Sequence, residues 1–379
     1  MKSNYNQLGQ YIEMVSRTNS DLKYGIEDVR GCSNTKQMMQ TRANLIGRTY
    51  EKFIVLKPRE FVFNRRTTRN GEKIGMAYNN SDREYIFTND YVAFRVKREY
   101  LDKLLPDYLY LFFCRDEFDR YARYKSTGSA TEFFNWEDMC AVPFEIPPMD
   151  FQQLVVNTYK VLNERIEIKR KINDNLINTT DTIFFKVFLE NKPTATISFT
   201  DIVQLMGGGT PKTDEDSFWN GNILFFTPKD ISRSPFCIST EKHLTNEGLN
   251  NCSSRLYPPY TTFVTCRGTV GNLALAGVPM AMNQSCYALK GKNDFPALFV
   301  FSFTRYVIAT MKKKASGAVF SALVTRDFEM EKVFEPNFGD AILFERRVEP
   351  LFAQILANTN EIQQLLDLQN ALLTQLSSR

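Results

Sequence analysis

The residues best suited to chemistry are cations and amides gathered at chain turns. Arg65, Arg66, Arg69, Asn70 and Lys73 crowd one turn after Phe61-Val62-Phe63-Asn64, and Lys212, Lys229, Arg267, Asn283 and Gln284 punctuate a later stretch. Arginine presents paired donors that match guanine's acceptor edge, and asparagine or glutamine matches adenine's donor-acceptor edge, so these types on loops suit base reading in a groove. A solubilising rim uses the same residues: runs such as Lys312-Lys313-Lys314 and Lys169-Arg170-Lys171 are common on plain surfaces.

Bond-making readings fare worse. Tyr257-Pro258-Pro259-Tyr260 resembles the Asp/Asn-Pro-Pro-Tyr motif of amino-methyltransferases, but a tyrosine cannot replace the first residue, which accepts a hydrogen bond from the target amino group. Gly207-Gly208-Gly209-Thr210-Pro211-Lys212-Thr213 suggests a phosphate cradle, yet the spacing G-x-x-x-x-G-K-[ST] is missing. Glu167-Ile168-Lys169 holds the Glu-x-Lys of some nucleases without a paired aspartate in a strand, and reads better as a solvated helix face. His243, the single histidine, would have to be the base of any histidine-dependent nucleophile, and its polar neighbours suggest a surface loop.

Composition sets the bounds. The chain has 379 residues, enough for two or three domains, with 43% hydrophobic and 24% charged residues, an ordinary globular balance. A net charge of +4 permits a nucleic-acid partner without demanding one. Seven cysteines without a C-x-x-C pair suggest buried, reduced thiols and no zinc site. Met1-Lys2-Ser3-Asn4 lacks the apolar core of a signal peptide and no apolar run is long enough for a membrane span, so a cytoplasmic protein is expected.

Two long helices must position the turns. From Phe151 to about Leu189, Val155, Tyr159, Leu162, Ile166, Lys169, Asn173, Leu176, Thr180, Ile183 and Val187 form an a/d heptad seam with three polar interruptions. Phe344, Val348, Leu351, Ile355, Asn358, Ile362, Leu365, Gln369, Leu372 and Leu376 repeat the rhythm, each 189 residues after its counterpart. A narrow apolar seam cannot bury itself, so the helices are expected to pair as an intramolecular coiled coil.

The same offset relates Gly128 to Gly317, Asp138 to Asp327 and Pro147 to Pro336, which predicts two copies of one module. Residues 1–20 read as a lead-in. Strands are expected at Phe53–Leu56, Phe61–Phe63 and Tyr91–Phe94 with a helix from Pro106 to Tyr124 in the first copy. In the second they fall at Ile223–Phe226, Thr262–Thr265 and Cys286–Leu289, with a helix from Pro296 to Lys314. A polar break, Glu190 to Thr194, separates the halves.

The wording of both halves resembles one family. Gly208-Gly-Thr-Pro-Lys-Thr213, Phe218-Trp-Asn-Gly221, Phe226-Thr-Pro-Lys-Asp-Ile231, Cys266-Arg-Gly-Thr-Val-Gly271 and Asn283-Gln284 are similar to the target-recognition domains of type I restriction-modification specificity subunits. The first half resembles another subtype through Leu8-Gly-Gln-Tyr-Ile12, Val29-Arg-Gly-Cys-Ser33, Asn34-Thr-Lys36, Phe61-Val-Phe-Asn64, Arg69-Asn-Gly71 and Glu117-Phe-Asp-Arg-Tyr-Ala122. Cys266 where serine is usual, and Asn64-Arg65 where Asn-Pro is usual, depart from the pattern and leave base preference open.

The resemblance implies an α+β fold: two mixed α/β target-recognition domains joined by two long helices packed as an antiparallel coiled coil, with an internal pseudo-two-fold repeat. The boundaries follow as 1–147, first recognition domain; 148–192, central helix; 193–338, second recognition domain; and 339–379, C-terminal helix. It implies a non-catalytic DNA reader, each domain taking one half of a bipartite double-stranded target while the helices set the spacer. Two methyltransferase subunits, and motor-nuclease restriction subunits, would dock on it and hold AdoMet, ATP and magnesium. The DNA-contacting set is expected to be Lys36, Asn64, Arg65, Arg66, Arg69, Asn70, Lys73, Thr210, Lys212, Lys229, Arg267, Thr269, Asn283 and Gln284. The alternatives are a stand-alone methyltransferase or nuclease, and a scaffold whose modules read proteins.

Overall fold

The computed structural model describes residues 6–41, 45, 47–66, 73–127, 132–190, 195–314 and 322–376. Contacts divide the chain into two units: Met1–Asn163 with Leu366–Arg379, and Glu164–Leu365. Each unit therefore holds one module and a stretch of both long helices, a division that linear domain boundaries do not express.

In the first unit a four-stranded antiparallel sheet has the order Ile12–Val15, Tyr91–Val96, Phe61–Asn64, Met76–Tyr78. Strand side chains alternate between faces. Phe61 and Phe63 turn to a core shared with the helices Pro106–Phe113, Asp116–Lys125 and Trp136–Cys140. Val62 turns to the opposite face with Leu56, Ala77 and Phe87. A small antiparallel pair, Ile54–Leu56 with Tyr85–Phe87, supplies part of that second face.

Two expectations change here. Residues 1–20 are more than a lead-in, because Ile12–Val15 is an edge strand of the main sheet, with Ile12 opposite Val96. The expected helix from Pro106 to Tyr124 is broken at Cys114-Arg115. Arg115 is extended (φ −77°, ψ 146°), lies 4.0 Å over the Phe112 ring, and donates to the carbonyls of Phe112 at 3.1 Å and Leu376 at 2.9 Å. A stacked, doubly bonded guanidinium outweighs the helical preference of one residue.

The second unit repeats the plan. Its sheet has the order Val203–Gly207, Cys286–Gly291, Thr262–Thr265, Leu273–Ala276, the four antiparallel, and Phe236–Cys237 adds a fifth strand parallel to Leu273–Ala276. Val264 and Leu289 face the helix Ala297–Lys314, and Phe263 and Ala288 face a second sheet. That second sheet runs Lys242–Leu244, Trp219–Phe226, Met280–Met282, the last two strands parallel.

The repeat persists in single hydrogen bonds. Asp138 caps Trp136–Cys140 by accepting the Asn135 N–H at 2.9 Å, and Asp327, 189 residues on, caps Thr325–Met330 by accepting the Val324 N–H at 2.8 Å. Gly128 and Gly317 lie outside the described residues.

The long helices span Met149–Phe184, closed by a π-helical turn Phe185–Leu189, and Phe338–Gln375. No described position of either seam is exposed. In the first unit, Val155 and Leu376 share the module's core. In the second, the Phe184 and Phe344 rings lie 5.6 Å apart, and Arg165 donates to Glu361 at 2.6 Å. Numbers rising on one helix and falling on the other define an antiparallel pair.

The polar interruptions meet one another. Lys169 Nζ donates to Asn358 Oδ1 at 3.1 Å, and Asn358 Nδ2 donates to Asn173 Oδ1 at 2.8 Å. Lys169 thus contacts its own repeat counterpart, as a residue does at the point about which an antiparallel pair is symmetric. Hydrogen-bonded polar groups at a seam favour one register, because a slip would strand them among apolar neighbours.

Candidate nucleic-acid interface

In the second module the strand ends bring the expected residues together. Phe226 pairs with Met282 in one sheet, and Thr265 pairs with Cys286 in the other. The segments that begin just beyond Phe226, Met282 and Thr265 therefore leave the two sheets side by side. They carry Lys229, Asn283-Gln284 and Arg267-Thr269 respectively. Backbone bonds tie the loops: Asn283 N–H donates to Phe226 O at 3.0 Å, and Cys266 N–H to Ser285 O at 2.8 Å.

The glycine run joins from a fourth strand, Val203–Gly207. Gly209 N–H donates to Met282 O at 3.2 Å. A Cβ on Gly208 would sit 2.2 Å from the Asn283 carbonyl, and one on Gly209 2.2 Å from Ser253 Oγ, so only glycine allows this approach. The approach lets the Thr210 hydroxyl donate to Gln284 Oε1. No helix starts here, so the run is a packing device and not a phosphate cradle. Lys212, Lys229, Arg267 and Thr269 are exposed, and Gly268 takes the left-handed φ of +77° that turns the loop between the last two.

In the first module Asn64 ends the strand Phe61–Asn64 and accepts the Arg66 N–H at 3.0 Å, an Asx turn that leaves Arg65 and Arg66 exposed. Arg65 lies 6.0 Å over the Phe133 ring, and Arg66 is 3.5 Å from Asp90. Lys73 is exposed, 3.4 Å from Asp116. Arg69 and Asn70 lie outside the described residues.

Lys36 departs from expectation. It is 4% exposed, paired with Asp119, and donates to Ile74 O at 2.8 Å. Burial pushes its ammonium pKa down while Asp119 pulls it back up. A lysine so enclosed pins the Ile74 segment to the helix Asp116–Lys125 and is buried away from any surface that could meet DNA.

Arg65 and Cys266 occupy matching places: Phe134 N–H donates to Arg65 O at 2.9 Å, and Leu323 N–H, 189 residues on, donates to Cys266 O at 2.9 Å. Cys266 is buried, its thiol pushed up to about 12 by that burial. The next residue is arginine in both modules, Arg66 in the first and Arg267 in the second.

One residue was missed. Lys312 Nζ donates to Gly271 O at 3.1 Å, which puts an exposed cation at the base of the Arg267–Gly271 loop. Only its place in a lysine run at a helix end hinted at it.

The rival chemistries lose their residues to structure. Tyr257 is buried and its hydroxyl donates to Gly207 O at 3.0 Å. Glu167 accepts from Arg170 at 2.7 Å, and Lys169 is taken by Asn358 and Glu361. His243 lies on the strand Lys242–Leu244 opposite Leu224 and not in a loop. Among the described residues no group of three or more His, Cys, Asp and Glu is placed to hold a metal, and no helix is long and apolar enough to cross a membrane.

Two modules on one sheet plan, each presenting cations and amides from strand-end turns and each fused to a long helix, define a duplicated two-module protein. The chain belongs to the type I restriction modification DNA specificity domain family, whose model matches residues 19–178 and again 191–340. It is 28% identical over 127 residues to the specificity subunit of the type I restriction enzyme MjaIX of Methanocaldococcus jannaschii, covering 32% of this chain and 29% of that subunit. Over 186 residues it is 24% identical to the HindI specificity subunit of Haemophilus influenzae, covering 47% of this chain and 40% of that one. The chain thus spans less than half the length of the curated relatives it matches. The crystal structure of a type I restriction-modification S subunit from M. genitalium shares the fold, with a TM-score of 0.52 at 14% identity over 98% of this chain and 96% of that one.

Proposed function

We propose that this chain is the DNA-specificity subunit of a type I restriction-modification complex, in which each module reads one half of a bipartite duplex target and the paired helices set the gap. The observation that carries this is the convergence of Thr210, Lys229, Arg267, Asn283 and Gln284, dispersed over 75 positions of sequence, on adjoining strand ends. Exposed Lys212, Lys229 and Arg267 supply salt-sensitive attraction to phosphate, and the amides and arginines supply base selection worth about 1–3 kcal/mol per bidentate contact.

The central helix has 36 residues, about 54 Å at about 1.5 Å per residue, a length comparable to one or two turns of duplex of about 34 Å each. Two methyltransferase subunits bound to the chain, with motor-nuclease subunits beside them, would bring AdoMet, ATP and magnesium. The complex would work in the cytoplasm. Removing seven residues from Met149–Phe184 tests the gap: the spacer between half-sites is expected to change with both half-sites intact, and an unchanged spacer refutes the role of the helices.

A further inference from the structure

We propose that two adjacent amide side chains of the second module, Asn283 and Gln284, read base edges as hydrogen-bond donors only, and that Thr210 imposes this on Gln284. The inference rests on the reading above that this module contacts bases. Each amide has two donors on nitrogen and one acceptor oxygen. The oxygen of Gln284 is held by the Thr210 hydroxyl, and that of Asn283 by the Ser285 N–H at 3.1 Å. Both amides are anchored to their own module through oxygen, which leaves the amino groups as the ends available to DNA.

A bidentate grip on adenine needs oxygen and amino group side by side on one outer edge, meeting N6 and N7. The second lone pair of an oxygen already turned to a partner within its own module does not stand on that edge. The one carboxylate of the loops that follow Phe226, Met282 and Thr265, that of Asp230, is engaged within the module. Asp230 Oδ2 accepts the Thr227 N–H at 2.7 Å and hydroxyl at 2.8 Å, while Oδ1 accepts the Glu241 N–H at 2.9 Å. Lys212, Lys229 and Arg267 can only donate.

The edge as built therefore fits acceptors, namely O6 and N7 of guanine or O4 of thymine. It opposes the N4 amino group of cytosine and forgoes the adenine pair that amide residue types alone suggest. Gly208 is part of the device, since the close approach it permits brings Thr210 to Gln284.

The test is selection from a randomised duplex library by the full-length chain and by its T210V, Q284A and Q284E variants, with sequencing of the bound pool. In the parent, guanine or thymine is expected to exceed adenine about tenfold at one position of one half-site. Q284A flattens that position alone, T210V frees the amide oxygen and raises adenine about tenfold there, and Q284E turns the preference to cytosine or adenine. Adenine favoured in the parent at the position Q284A flattens would overturn the proposal, as would base frequencies indifferent to T210V or to both Gln284 variants. Gln284 is exposed, so Q284E keeps the test alive even if T210V fails to fold. A parent that enriches no duplex at all sinks the DNA reading itself and this proposal with it, whereas an enriched motif with adenine at that position sinks only the donor-only arrangement.

Discussion

The two modules share a frame and diverge at its edges. Both place the first strand beside the last, then two central strands in the same order, all antiparallel. Both cap a short helix with an aspartate at one repeat position and bond the residue after the third strand from the next repeat position. The flanking sheet differs: antiparallel Ile54–Leu56 with Tyr85–Phe87 in the first, parallel Trp219–Phe226 with Met280–Met282 in the second. Main-chain ladders tie many residues at once and resist change, whereas a flanking strand or a loop can be replaced without disturbing them.

The attachment of each long helix shows the same freedom. In the first module Gln152, fully buried, accepts the Leu105 N–H at 2.9 Å and donates to the carbonyls of Lys103 and Pro147 at 2.7 and 2.8 Å. In the second, Glu345 accepts the N–H groups of Leu298 and Phe299 at 3.2 and 2.9 Å. Burial raises the Glu345 pKa and those two N–H groups lower it. An amide and a carboxylate at different repeat positions both fasten a long helix to the start of the module's own helix. The helix N-terminus, with its unpaired N–H groups, is what makes either one suitable.

The largest effect that separates the modules is expected at Lys36. Lys36→Met should cost about 3–5 kcal/mol in urea unfolding of the first module, because Asp119 is left buried without its partner. Adding Asp119→Leu should recover part of the loss; a Lys36→Met chain with normal stability and weakened DNA binding would instead restore Lys36 to the reading surface. The helix positions come next. Phe344 is fully buried against Phe184, Phe188 and Phe299, so Phe344→Ala should cost about 3–5 kcal/mol. Its repeat counterpart Val155 should lose only about 2 kcal/mol on change to alanine. Equal losses in denaturant titrations would erase the contrast.

Asn358→Leu is expected to cost about 1–3 kcal/mol, since it removes the hydrogen bonds that Asn358 accepts from Lys169 and Gln354 and the one it donates to Asn173, and leaves buried Asn173 unmet. A thermal midpoint unchanged or raised would mean that the polar layer is merely tolerated. The smallest effect is one of pH. Hydrogen bonds from Lys169 and Arg165 hold the Glu361 carboxyl below the usual glutamate range. A pKa lowered in the folded chain gives stability that is present above the ordinary glutamate value and is lost as pH falls through the lowered one. The stability difference between the parent and Glu361→Gln should therefore shrink on acidification; a constant difference would count against the pairing.

Much of this comparison was legible in residue order. The seam positions from Val155 to Val187 follow the helical period, and strands such as Thr262–Thr265 follow β-branched and aromatic runs between turns. The candidate reading turns were legible as residue types, but their convergence depends on which strands pair, and nothing near Phe226 specifies a parallel partner at Met282 rather than an antiparallel one. Lys36 misled because a lysine beside Asn34 and Thr35 looks solvated, and its acid, Asp119, lies 83 residues away. The break at Cys114 was hidden for the same reason, since the carbonyl that helps hold Arg115 belongs to Leu376.

The central claim, two reader modules within one chain, is tested most directly by sequencing the duplexes that the full-length chain retains from a fully randomised library. The account predicts two short specified blocks separated by an unspecified gap of constant length, with Arg267→Ala degrading only one block. A single continuous block, or one substitution degrading both halves equally, would contradict it.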